Sequence, residues 1–158
     1  MIEPQEQIDR KAIIVWRWSG FIASAVSSLL AAVLFYLAHR FHWPGWIPVV
    51  LAAGVLAEIV LTVVVMPELR WKRWRYEVRE DEIMLQQGVM FVKRTLIPMV
   101  RIQHVDTNQG PLLRAYGLSG ITFSTAAGSH QIPALTSETA EALRVRIAEL
   151  AKVSHEDL

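Results

Sequence analysis

The sequence predicts a membrane α-helical hairpin of two transmembrane helices, followed by an α+β domain in which a split β-barrel is capped by a C-terminal helix. Three observations predict it. Residues 21–38 carry no charge and residues 46–66 carry a single one, Glu58. At about 1.5 Å of rise per residue the two stretches reach roughly 27–32 Å, the thickness of a bilayer's hydrocarbon core. Past Arg75 the pattern changes to alternation, with Trp74, Tyr76 and Val78 set against Arg75, Glu77 and Arg79, the signature of a half-buried strand. From Ser137 the helical period returns, as Ala140, Leu143, Ile147 and Leu150 recur on one face.

In chain order the expected units are an N-terminal segment (1–19), the hairpin (20–67, with spans at about 20–38 and 46–66), a basic linker (68–75), the domain (76–152) and a short tail (153–158). The part of the chain outside the spans is too small to wrap two helices that are apolar on every face, so lipid is the expected surrounding. A cleaved leader fits poorly, because the first span is followed at once by a second. The connecting loop HRFHWPG turns at Pro44-Gly45 and holds one fixed positive charge, Arg40. Arg10, Lys11 and Arg17 precede the first span, and Arg70, Lys72, Arg73 and Arg75 follow the second. Basic residues mark the cytoplasmic side, so both termini are expected inside. All six tryptophans, Trp16, Trp18, Trp43, Trp46, Trp71 and Trp74, fall near a span boundary, as an aromatic belt requires. Trp74 equally suits the first inward position of the following strand. Pro67 is expected to end the second helix, because the residue before proline disfavours helical geometry.

Glu58 lies near the bilayer midplane, where an ionised carboxylate costs several kcal/mol, and is expected to be neutral or paired. On an antiparallel partner the same depth falls near Val26, so the hydroxyls of Ser24, Ser27 and Ser28 are candidate neighbours. Ala23, Ser27 and Ala31 on one helix, and Gly54 with Ala57 on the other, are small enough to allow close approach. A proton relay needs a second acid or base that titrates near neutral pH, and neither span has a further Asp, Glu, His, Lys or Arg.

In the domain, IMLQQ reads as a strand after an EDE connection, and VMFVKRTLI as another after Gly88. Val100–Thr107, Ser119–Thr125 and His130–Ile132 continue the series, which makes about six short strands. Ser137 is a plausible cap for a helix of about 15 residues, with Glu138 and Glu141 near its positive end. Strands followed by one amphipathic helix suit two small sheets whose open end a helix plugs, the plan of a pleckstrin-homology (PH) type fold. The chain resembles the YdbS-like bacterial PH-domain membrane proteins. The resemblance is carried by YEVREDEIMLQQG (76–88), IPMVRIQHVD (97–106), QGPLLRAYGL (109–118), STAAG (124–128) and the helix from Ser137. It implies two membrane helices and one PH domain at a bacterial inner membrane, with assembly into a homo-oligomer or with a larger companion of the same family. Related members suggest roles in envelope stress or defence against antimicrobial peptides. Within QGPLLRAYGL, Gly110-Pro111 breaks the strand, Leu112 and Leu113 supply an apolar plug, and Gly117 permits a turn. Arg114 is left either to an ion pair with Asp106 or Glu82, or to a phosphate or partner contact.

Catalytic patterns fail in turn. His39 and His42 are two ligands where a metal needs three or four. Ser124, His130 and Asp106 lack a nucleophile elbow, and no phosphate loop occurs. There is no cysteine. From Tyr76 onward 8 Lys/Arg face 10 Asp/Glu, leaving no basic surplus for nucleic acid. The expectation is therefore a non-enzymatic module with no cofactor and no metal, whose partners are the lipid bilayer and other copies or relatives. Its candidate residues are Arg70, Trp71, Lys72, Arg73 and Arg75 for lipid contact, and Glu58, Gly54, Ser27 and Arg114 for interfaces. Sensing of anionic headgroups by the basic cluster, and a transporter-accessory role resting on Glu58, are the alternatives.

Overall fold

The computed structural model describes residues 3–158 and resolves the chain into two compact units. Trp16–Glu68 form one, and the residues up to Val15 join Leu69–Leu158 in the other.

The first unit is the hairpin. Helix α1 runs over Ala12–Arg40, and a second continuous helical stretch over Trp46–Arg73; each is long and apolar enough to cross a membrane. The second stretch is three segments in series: α2 (Trp46–Ile59), a π-helical segment (Val60–Val65) and α3 (Met66–Arg73). Pro67 therefore does not end the helix. A proline inside an α-helix removes one hydrogen bond and collides with the carbonyl a turn before. Here the wider π turn lies immediately ahead of it and gives the ring room. The loop between the spans closes with His42 in the left-handed region (φ 54°) and the Trp43 amide donating to the Ala38 carbonyl at 2.9 Å, a Schellman-type ending.

The second unit contains two antiparallel sheets. The first has the order β1-β2-β3-β4, with β1 Glu6–Gln7, β2 Arg75–Val78, β3 Glu82–Gln87 and β4 Lys93–Pro98. The second has the order β5-β6-β7, with β5 Ile102–Asn108, β6 Leu118–Thr125 and β7 Gly128–Thr136. A 3-10 turn at Met99–Arg101 carries the chain from one sheet to the other, and helix α4 (Pro111–Ala115) fills the β5–β6 corner. Helix α5 (Ser137–Glu156) closes the core with Ala140, Leu143, Ile147 and Ala151. Ile83, Met99, Leu118, Ile121, Phe123 and Ile132 are fully buried in the domain. The arrangement is a PH-like split barrel whose sheets do not close on each other.

Strand β1 lies in a segment that sequence periodicity left without an element. It pairs antiparallel with β2 in the register Glu6↔Tyr76 and Gln7↔Arg75, so the chain leaves for α1 and returns from α3 at the same end of this sheet. The Asp9 amide adds a bond to the Ala134 carbonyl at 3.0 Å. Residues on both sides of the hairpin thus fold together in one unit. Two further expectations are corrected. Pairing in β4 begins at Lys93, not Val89, because Gly88 (φ +122°) turns the chain out of the sheet. The α5 cap is Thr136, whose Oγ1 accepts from the Thr139 amide. Ser137 is the first residue of the helix and donates instead to the Gly117 carbonyl at 3.1 Å.

Candidate interaction site

Each sheet has an edge strand at the place where the chain crosses between sheets. Among the described residues β4 pairs only with β3, and β5 only with β6. Between them opens a cleft of about 430 Å³, lined by β4, the 3-10 turn, the β6–β7 turn and the end of α5. Its polar contributors include Arg101, His130 and His155, set among Leu96, Ile97 and Pro98. Leu96 remains 53% exposed although it is a central residue of β4. His130 stacks on the buried Phe123 ring at 5.9 Å, and the His155 ring lies 3.3 Å from the Ile102 carbonyl. Both imidazoles are therefore held by the fold. An edge strand beside an apolar cleft offers backbone donors and acceptors next to a side-chain pocket, the combination that accepts an added strand.

The QGPLLRAYGL corner is firmly built. Gln109 Nε2 donates to the Leu118 carbonyl at 2.8 Å, and the Ser137 amide donates to the Gly117 carbonyl at 3.1 Å, which joins the corner to α5. Leu112 and Leu113 are half-buried, as an edge seal and not a deep plug. Arg114 is exposed. No ion pair from it to Asp106 or Glu82 forms among the described residues, and Glu82 is engaged by Arg79 at 3.4 Å.

In the basic cluster, Arg70, Lys72 and Arg73 are exposed and Arg75 is half-buried in β2. Trp71 is less available to lipid than its belt position implies. Its Nε1–H donates to the Ile8 carbonyl at 3.0 Å, and the Arg10 guanidinium sits 5.9 Å over its ring. Trp74 is 3% exposed and belongs to the domain core. Near it, burial pushes the Tyr76 hydroxyl up to about 12, with the Glu6 carboxylate adding to the shift through charge and a hydrogen bond. That pairing ties β1 to β2.

Inside the hairpin, two of the three hydroxyls expected beside Glu58, those of Ser24 and Ser27, are otherwise engaged. Ser24 shares a hydrogen bond with Thr62 at 3.3 Å, and Ser27 donates to the Ala23 carbonyl at 3.3 Å. Thr62 reaches the Glu58 backbone carbonyl at 2.8 Å, while Glu58 Oε2 is buried without a partner among the described residues. The close approach occurs at Gly20, where an added Cβ would stand 2.8 Å from the Thr62 carbonyl oxygen. Gly54 faces open space. Gly20 stood at the head of the first span and could have been singled out as a small residue; Leu96, Arg101 and His155 had no local signal, because only the corner between sheets brings them together.

A family model described as "Bacterial PH domain" matches residues 16–151. The chain is 47% identical over 156 residues to the UPF0699 transmembrane protein YdbS of Bacillus subtilis (strain 168), covering 99% of this chain and 98% of that protein. It is 26% identical over 102 residues to the UPF0699 transmembrane protein YdbT of the same organism, a match over 63% of this chain and 21% of that larger protein. No solved structure matches.

Proposed function

This chain belongs to the bacterial PH-domain family of transmembrane proteins, and from that premise we propose that it is a non-catalytic, membrane-anchored interaction module that works by assembly. Its partner is a second copy or a larger transmembrane protein of the same family. The observation that carries this reading is the open corner, where β4 and β5 each have no strand on one side among the described residues and flank an apolar cleft holding the exposed Leu96. Buried sheets close or cover such edges, and an uncovered one is a pairing site. The similarity to a segment of YdbT supports a relative carrying a comparable segment as a partner. Basic residues at Arg10, Lys11 and Arg17, and at Arg70, Lys72 and Arg73, favour an inner membrane location with the domain in the cytoplasm.

The test uses two differently tagged copies in one cell. The wild-type copies co-purify in mild detergent, or each brings down the same larger membrane protein. Leu96→Lys, which places a charge on an exposed edge position without opening the core, abolishes that recovery while leaving membrane levels unchanged. Recovery unaffected by Leu96→Lys contradicts the edge as the assembly site.

A further inference from the structure

The β3–β4 connection is the most apolar exposed feature of the domain. Met90 is 88% exposed, Phe91 85% and Val92 42%. Isolated apolar residues are ordinary on a surface, but three adjacent ones at a loop tip mark a surface that meets something apolar. The tip is shaped by the sequence: Gly88 has φ +122°, and a Cβ there would stand 1.8 Å from the Phe91 carbonyl oxygen. Only glycine lets the chain fold back so tightly.

Register gives the tip its place. Arg75 pairs with Gln86, and Gln86 with Arg94, while Gln87↔Lys93 is the last pair before the tip. The tip therefore projects beyond Arg75, at the end of the sheet where residues 69–73 lead into β2. The opposite end of the same sheet is the β2–β3 turn, with exposed Glu80 and Asp81. One sheet thus ends in carboxylates on one side and in Val-Met-Phe-Val on the other. Below the apolar tip lie Lys93, Arg94 and Arg75. Arg94 is anchored by Gln86 at 3.0 Å and Glu3 at 3.1 Å.

We propose that residues 89–92 insert into the leaflet to which the domain is tethered, with the basic row beneath them resting among anionic headgroups. The occupant is the bilayer because of connectivity and charge. The eight residues of α3, about 12 Å of helix, and Trp74 are all that separates the preceding helical segment from β2, and a bilayer surface offers an apolar interior under an anionic layer. Insertion holds the domain against the membrane at two points, the tether and the tip. It does not depend on whether copies assemble.

The absence of native cysteine makes a direct test possible. Full-length Met90→Cys, Phe91→Cys and the opposite-end control Glu80→Cys are reconstituted into vesicles of phosphatidylcholine and phosphatidylglycerol at about one protein per vesicle. Each is reacted with a membrane-impermeant maleimide, with the outward-facing fraction calibrated by Glu80→Cys. The expected result is alkylation at positions 90 and 91 at least about tenfold slower than at position 80, the scale set by burying one or two large apolar groups. Equal rates at all three positions overturn the proposal. So does protection that develops only when protein density in the vesicle is raised, since a second copy then covers the tip.

Discussion

The hairpin and the domain use the same apolar residue types in opposite ways. In the domain Ile83, Met99, Ile121, Phe123, Ile132 and Ile147 are fully buried, and Leu96 is the large apolar strand residue left exposed among the described residues. In the hairpin Leu29 is 69% exposed, Val49 67% and Leu56 65%, while Val63 and Ala38 are among the few apolar side chains covered. The domain excludes water by packing side chains on side chains, whereas the hairpin leaves that task to lipid. Specificity between its helices must then come from close backbone approach and hydrogen bonds, which is why the contacts that define it, Gly20 against Thr62 and Ser24 with Thr62, involve small and polar residues.

This difference predicts a graded set of effects. The largest is in the core: Phe123→Ala should destabilise the domain by about 3–5 kcal/mol, read from denaturant unfolding followed by domain fluorescence, whereas Leu29→Ala should leave the unfolding midpoint nearly unchanged. An equal loss from both would break the contrast. Next is Gly20→Val, whose added carbons meet the Thr62 backbone and should cost about 1–3 kcal/mol, seen as a lower thermal midpoint of the hairpin in lipid nanodiscs. Gly54→Val, in open space, should be tolerated. Smaller still, Thr136→Ala should cost about 1 kcal/mol through loss of the α5 cap, measured by thermal unfolding.

Tyr76 gives a pH-dependent check on the link between β1 and β2. Its ordinary pKa near 10 is raised to about 12 in the folded domain, so the folded state favours the protonated phenol. The resulting stability is fully present below pH 10 and is lost as the pH rises through about 12. Between those values wild-type stability should fall more steeply than that of Tyr76→Phe, and the phenolate absorbance of Tyr76 should develop late in an alkaline titration. A Tyr76 that titrates near its ordinary value would mean that Glu6 and burial do not act on it together.

Much of this architecture was legible because it rests on periods. Two spans without charge, alternating strands and a helical face in α5 are each set by local chemistry repeated over many residues. What escaped depends on partners distant in sequence. Glu6–Gln7 is too short to show alternation, and becomes a strand only because β2 lies beside it. Pro67 looked like a stop because the π segment that accommodates it has no sequence mark of its own. Residues 89–92 read as part of a strand because Val-Met-Phe-Val has the composition of a buried one; their exposure follows from the Gly88 turn. Thr136 and Ser137 are adjacent hydroxyls, and only the backbone decides which one caps α5. For the candidate site, the basic cluster and Glu58 were legible as residues, while the cleft at Leu96, Arg101, His130 and His155 required the two sheets to meet.

The measurement that bears most directly on the central claim is the mass of the complex extracted from native membranes into lipid nanodiscs without detergent, with its protein components identified. Action by assembly predicts a particle containing at least two PH-domain chains, reduced to a single copy by Leu96→Lys. A wild-type particle holding one copy, with no second membrane protein, would contradict it.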